Sequence, residues 1–556
     1  MTPKPEPTAP PLWHMFRIDH RSLAAFRVAI ALVMFWDLAV RATDLVAHYT
    51  DAGVLPRHVL RDLVLTSRPY FSIHTLGGSA RFEAALFGVA ALCALALLAG
   101  FQTRAASVAC WFLTCSLHTR NPLILHGGDD LLRLLLFWAL FVPLGAAWSV
   151  DARRRPRPSP VVYGSTCSWG TAGLLLQLCY VYLFSAALKS HPVWRHDGTA
   201  VYLALSIDQF TTPIGRAILP YHGLLKLLTF GTLAMELGGP FLALFSYESA
   251  RLRSIVAIAF MAFHIALGLC IELGIFPAVC IAGWFLFLPG SFWSAVAERL
   301  RSAHGARRPS EQWATGSGES ASEAPVVATV PSDRCDGYDQ PTQPEAAAAK
   351  STGTTRTAPG HAAAVRAPKP IPAAAHPGGT GLARRRLALG GEIIAAFALV
   401  YITLWNVRAG NYERVSRIFP VQLNAIGEAA RIDQYWCLFA PRPTLEHGWY
   451  VLDARLADGA EMDLRTGGPV SWRKPALVSA TYRNERWRKY LMNLSTTEYT
   501  EYRRYYADYL RRAWDAAHRP EDRLSRLDIV FVQETALPNY RVSPAERIVL
   551  WTARWP

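Results

Sequence analysis

Long apolar stretches alternate with short polar, arginine-bearing connections over residues 22–300, and this alternation is the strongest regularity in the chain. Crossing a bilayer takes roughly 20 apolar residues. On that measure the segments 22–42, 82–100, 104–118, 130–148, 171–189, 222–246, 254–273, 275–296 and 387–407 read as spans, with 104–118 the shortest. Residues 301–386 are rich in Ala, Pro, Gly, Ser and Thr and poor in large apolar groups, which predicts a disordered linker. After residue 408 the pattern changes. Strand-like runs at 449–456 and 460–465 flank Asp458-Gly459, a hairpin signal, and further strands are expected at 527–532 and 547–553. A helix is expected over 499–518, where Tyr502, Tyr505, Tyr506, Tyr509 and Trp514 form a stripe that reads as packing.

The expected fold is an all-α polytopic membrane domain of about eight spans, a ninth span after the linker, and a C-terminal extracytoplasmic α+β domain. The divisions are a cytoplasmic tail at 1–21, the multi-span domain at 22–300, the cytoplasmic linker at 301–386, the ninth span at 387–407 and the outer domain at 408–556. Charge supports this orientation. The net charge of +15 is not massed on a soluble basic module, so nucleic acid is set aside as a partner. It gathers instead at 151–157 (DARRRPR), Arg251 and Arg253, Arg299, Arg301, Arg307 and Arg308, and Arg384 to Arg386. One topology places all of these on the cytoplasmic side. The N-terminus lacks a basic-then-apolar signal peptide, so the first apolar segment is expected to insert and stay. None of the nine cysteines forms a CxxC, and neither a disulfide framework nor a zinc site is expected. Abundant Arg and Ala point to a GC-rich bacterial genome and hence to a cell inner membrane.

Polar groups inside spans are costly, so each calls for a reason. Lys189 closes an otherwise apolar run, LLLQLCYVYLFSAAL, at a membrane edge or between helices. Desolvation there disfavours the charged amine and favours a proton acceptor, whereas a lysine reaching the headgroups would be a simple anchor. Arg27 and Asp37 lie on one side of the first span, roughly 15 Å apart along its axis, and read as structural intramembrane charges with partners elsewhere. Glu236, among small residues in GTLAMELGGPF, is a candidate to hold Lys189 or Arg27 in an ion pair, or to relay a proton. His264 is a candidate base or donor, with packing as its plainer role. The loop NPLILHGGDD offers His126, Asp129 and Asp130 beside two glycines, without nucleotide-binding spacing.

Four segments in order carry a resemblance. SLAAFRVAIALVMFWD at 22–37, WSVD at 148–151, YLFSAALKSHPVW at 182–194 and FHIALGLCIELGIFP at 263–277 resemble the membrane domain of the HTTM (horizontally transferred transmembrane) family, related to vitamin K-dependent gamma-carboxylase. WCLFAPRP at 436–443 and the GWYV that follows resemble the outer domain of bacterial members. The resemblance implies a lysine that deprotonates a reduced, vitamin K-like quinone, so that oxygen converts it into a base strong enough for a glutamate side chain to be carboxylated. Lys189 takes the place of that lysine, with Trp194 five residues on as in the carboxylase. His126 is its expected catalytic helper, and Glu236, His264 and Trp194 are the expected cofactor-binding residues.

The departures bear on the reaction. Where the carboxylase has its catalytic histidine this chain has Gly128, with His126 two positions away, and Leu267 replaces an asparagine. The carboxylase's large lumenal substrate-gripping region has no counterpart in 407–556. Two functions stay open: quinol-linked proton abstraction or carboxylation with Lys189 as base, or a non-catalytic scaffold or lipid- and quinone-binding protein. In the second, the outer domain meets an extracytoplasmic protein or peptide. Transport fits less well, since no inverted repeat or paired interrupted spans are present.

Overall fold

The computed structural model describes residues 11–66, 68–154, 163–305, 378–410 and 416–556. Met1–Arg301 and Arg384–Pro556 make one compact unit, and Ser302–Ala383 a second of which only two helix ends are described. The linker expected at 301–386 thus falls almost wholly outside the described residues. So do residues 1–10 of the expected tail, Cys335, and Arg155, Arg157, Arg307 and Arg308 among the basic residues.

The apolar runs of the first 300 positions fold as helices. They are α1 (His20–Ala42), α2 (Ala80–Ala99), α3 (Thr103–Arg120), α4 (Gly127–Ala139), α5 (Trp169–Leu188), α6 (Ala200–Ser206), α7 (His222–Phe245), α8 (Ala250–Cys270), α9 (Phe276–Trp284) and α10 (Gly290–Gly305). A further helix, α11 (Gly378–Gly410), contains the last apolar run. Polar caps set their starts. Asp19 accepts from the backbone of Arg21 at α1, Ser79 from Phe82 at α2, and Ser168 with Thr171 forms a capping box at α5. Gly100, at φ 67°, ends α2 in the left-handed conformation that glycine tolerates.

Six of these helices, α1, α2, α5, α7, α8 and α11, are long and apolar enough to cross a membrane, and α9 with α10 makes a seventh at most. Three expected spans differ for identifiable reasons. The 104–118 run becomes α3, which buries Thr114, Ser116, His118 and Arg120 and is too polar to qualify. The 130–148 run is helical only to Ala139, because Pro143 and Gly145 follow, and the freed carbonyls of Leu144, Ala147 and Trp148 accept from the Arg27 guanidinium at 3.0, 3.2 and 2.6 Å. The 275–296 run bends by 97° at the break holding Pro289.

The C-terminal part carries five strands, β1 (Glu446–Leu456), β2 (Glu461–Asp463), β3 (Leu524–Leu537), β4 (Arg541–Val542) and β5 (Glu546–Arg554), with α12 (Glu485–Ser495) and α13 (Arg503–Asp515) between. All pairings are antiparallel. β1 lies between β2 and β3, and β3 pairs on its other side with β4 and β5. The expected Asp458-Gly459 turn joins β1 to β2, with Gly459 at φ 91°. The expected 499–518 helix begins later, at Arg503, after a 3-10 stretch over Thr497–Tyr502. Its tyrosines pack as expected, Tyr506 edge-on to Tyr490 with centroids 5.5 Å apart. α12 was not anticipated.

Residues 408–556, expected as a domain of their own, belong to the same compact unit as the membrane helices. One apolar core runs through both parts, holding Tyr49, Leu123 and Ile124 together with Tyr450, Tyr490 and Ile529. At its edge Arg486 of α12 enters a buried ionic cluster. Its guanidinium donates to Asp37 at 2.5 Å and to Asp129 at 2.6 Å, while Arg41 donates to the same two carboxylates at 2.7 and 2.5 Å. A third bond runs from Arg486 to the carbonyl of Ile124 at 3.1 Å. Asp37 therefore finds one partner a helical turn away on α1 and another on the C-terminal part.

Removing one member of a buried pair leaves an uncompensated charge, at a cost of roughly 3–5 kcal/mol. Arg486→Ala is therefore expected to lower the melting temperature of the detergent-solubilised protein by several degrees or more. Arg486→Lys should recover little, since an ammonium cannot bridge both carboxylates as the planar fork does. Calorimetry or a thermal-shift assay checks both.

Candidate functional site

The amine of Lys189 is placed by where α5 stops. Lys189 is the helix's C-cap, and the chain then turns into the short helix Pro192–Arg195, whose proline supplies the fixed φ of a helix start. The side chain is 2% exposed and folds back one turn, donating to Ser185 Oγ at 2.9 Å. Across from it Glu236 of α7 accepts through both oxygens, at 2.7 and 2.5 Å. Small residues make this approach possible. A side chain at Gly239, one turn beyond Glu236, would run into the ring of Phe260 on α8, 2.5 Å from the added carbon. Trp194 forms a third wall, with the Lys189 nitrogen 4.7 Å from its ring centroid. Its indole N–H donates to the carbonyl of Phe439 at 3.0 Å, which ties the wall to the C-terminal part.

Beside this pair lies a cavity of about 430 Å³. That is within the range of small-molecule sites. Its lining includes Lys189, Glu236, Trp194, His126 and His264, all of the expected catalytic and cofactor-binding residues, among apolar groups such as Leu205, Ile218, Leu267 and Phe276. Leu228 also lines it and is 40% exposed on the apolar outer face of α7, so the space reaches the side of the helical bundle.

The two histidines differ in wiring. His126 is the N-cap of α4: its Nδ1 accepts from the backbone N–H of Gly128 at 3.1 Å, and its backbone N–H donates to the Asp129 carboxylate at 2.8 Å. Burial, opposed by Asp129 and reinforced by the nearby arginines, pushes its pKa down to about 3. A neutral ring whose Nδ1 accepts carries its proton on Nε2, and that nitrogen makes no hydrogen bond among the described residues, with Asp129 Oδ2 3.7 Å away. Gly274, at φ 58°, gives it room, since a side chain there would come within 2.8 Å of Nε2. The same geometry explains Gly128. A side chain at that position would meet the backbone of Phe276 at 2.7 Å, so an imidazole reaches the cavity from position 126 instead. His264 Nε2 is 2.6 Å from the Tyr182 hydroxyl, which accepts from the indole of Trp284 at 2.8 Å, and the His264 Nδ1 makes no hydrogen bond among the described residues.

Arg27 and Asp37 lie away from the cavity, in the carbonyl nest and the ionic cluster already described. Among the described residues two groups of ligand-type side chains occur elsewhere, Asp37 with His118 and Asp129, and Asp208 with His447 and Glu534. Both already hold protein cations: Arg41 and Arg486 in the first, and in the second Lys474, 2.6 Å from Asp208 and 2.5 Å from Glu534. Burial by itself would raise the Asp208 pKa, but its bonds to His447 and Lys474 prevail and lower it.

Sequence reasoning missed Ser185 and Tyr182, although both stand in the quoted YLFSAALK motif one and two turns before Lys189. It also missed Arg488 and Lys489, which line the cavity from α12. In RWRKY they look like the solvated face of a surface helix, and only docking against the membrane helices turns them inward. No curated protein and no solved structure matches the chain. The HTTM domain family matches residues 16–292, the stretch that supplies every cavity residue contributed by the membrane helices, and the chain belongs to the HTTM family.

Proposed function

We propose that this HTTM protein binds a membrane-soluble ligand of the reduced-quinone type in the cavity and that the Lys189–Glu236 pair takes a hydroxyl proton from it. The observation that carries the reading is the convergence of Lys189, Glu236, His126, His264 and Trp194 on one mostly apolar space. Amine and carboxylate together are neutral whether their shared proton sits on nitrogen or oxygen. Accepting one more makes the pair cationic and the ligand anionic, so the two charges created stay close together in a low-dielectric site. The neutral His126 offers an Nε2–H to the oxyanion that forms. The carboxylase-like outcome, oxygen-dependent epoxidation coupled to carboxylation of a glutamate, extends this reading. So does the topology: a multi-pass protein of a bacterial inner membrane, N-terminus cytoplasmic and residues 408–556 outside, supported by the placement of its arginines.

A second reading has its own support. Three hydrogen bonds satisfy the Lys189 ammonium fully, as in a structural anchor for a non-catalytic scaffold or quinone-binding protein. Lys189→Arg separates the two, because arginine keeps the charge and cannot act as a base. The proton-transfer reading expects purified protein given reduced quinone, oxygen, labelled bicarbonate and a Glu-containing peptide to yield epoxide or carboxylated product. It expects Lys189→Ala and Lys189→Arg to abolish that product. Folded wild-type protein yielding neither, or an Arg variant as active as wild type, would leave only binding.

Binding itself is tested by filling the space. Ala204 is buried and lines the cavity. Ala204→Phe should weaken reduced-quinone affinity tenfold or more while the melting temperature moves little, read by titration of intrinsic tryptophan fluorescence.

A further inference from the structure

Arg488 and Lys489 have no part in the proton transfer just described, and both line the cavity. Arg488 is 3% exposed, its Nε is without a partner, and its guanidinium lies 4.2 Å from the centroid of the Phe210 ring. Neither cation has a hydrogen-bonded or ion-paired oxygen among the described residues. Glu272 and Glu485 act on Arg488 only through space, as Asp129 and Asp130 do on Lys489. Adjacent cations turned into an apolar space are costly to keep without an anion. Burial lowers the Arg488 pKa to about 10, and burial together with Arg488 lowers that of Lys489. The helix that carries them cannot easily turn away. Two positions before Arg488 and four after Lys489, Arg486 and Asn493 bind the carbonyls of Ile124 and Leu123 at 3.1 and 2.8 Å.

Where the cavity is lined by α7 and α8 it carries apolar groups that reach the outer surface. Leu228 and Ala266 line it and are exposed, beside Leu224, Leu227, Ile265 and Leu269 on the same outer faces of α7 and α8. A molecule that satisfies both sides has an acidic head and a hydrocarbon tail. We propose that Arg488 and Lys489 form an anion-binding subsite for an amphiphile with a phosphate or carboxylate head, whose tail leaves between α7 and α8. The inference rests on the cavity being a ligand site and adds to the neutral quinone a second class of molecule that it takes.

The test uses the full chain in phosphatidylcholine nanodiscs, with dissociation constants measured for oleate, lysophosphatidic acid, neutral monoolein, a neutral quinone and inorganic phosphate. Oleate and lysophosphatidic acid should bind at least tenfold more tightly than monoolein. Arg488→Gln with Lys489→Gln should erase that difference and leave monoolein and quinone unchanged. Should the double variant fail to fold, the charge preference of the wild type still decides the matter. Binding of acidic and neutral amphiphiles with equal affinity overturns the subsite and leaves the cavity reading standing. Inorganic phosphate binding as tightly as lysophosphatidic acid overturns the amphiphile and points to a soluble anion. Failure of every amphiphile and of the quinone on folded protein overturns both readings.

Discussion

The architecture depends on a cluster of four buried charges. Arg41 and Arg486 face Asp37 and Asp129, two cations and two anions that sum to zero, and each carboxylate is held by both guanidiniums. Three come from the HTTM domain and one from α12, so the cluster is complete only when the C-terminal part is seated. Arg486 sits two residues from Arg488 and three from Lys489, and Asp129 caps the helix whose N-cap is His126. The cluster thus fixes two walls of the cavity at once. A buried ionic network is a poor source of stability by itself, but it admits few alternative arrangements, and here that selectivity aligns two separately coded parts of the chain.

Local chemistry accounts for how far the sequence could be read. Long apolar helices, the Asp458-Gly459 hairpin and the tyrosine packing helix were legible because each depends on neighbours along the chain. Lys189, Glu236 and His264 were legible as candidates because polar groups in apolar runs are rare, His126 came from a loop beside two glycines, and Trp194 from the family resemblance alone. The breaks were harder. Pro143 and Pro289 lie inside runs whose average composition still looks like a span, and the consequence depends on whether another group, such as Arg27, can satisfy the freed carbonyls. Arg486, Arg488 and Lys489 carried no signal, since their burial arises only from docking.

The site joins two chemistries that seldom share a space. At one place an amine and a carboxylate are in contact; at another, two cations lack a hydrogen-bonded or ion-paired oxygen among the described residues. The first suits a reacting hydroxyl and the second a fixed anion. His126 lines the same cavity, held neutral by burial, and its capping Nδ1 leaves the proton on Nε2, so a structural duty at a helix start sets which nitrogen of a cavity group is the donor.

The sideways mouth marked by Leu228 and Ala266 determines how a ligand is counted. A compound that dissolves in lipid is enriched in the bilayer over the surrounding water, and a port facing acyl chains would sample that enriched pool. Occupancy then follows the mole fraction of ligand among the lipids and is indifferent to its aqueous solubility. For a lipid-soluble ligand of the proposed kind, a weak intrinsic affinity would suffice to keep the cavity filled, and release would return the molecule to the leaflet it came from.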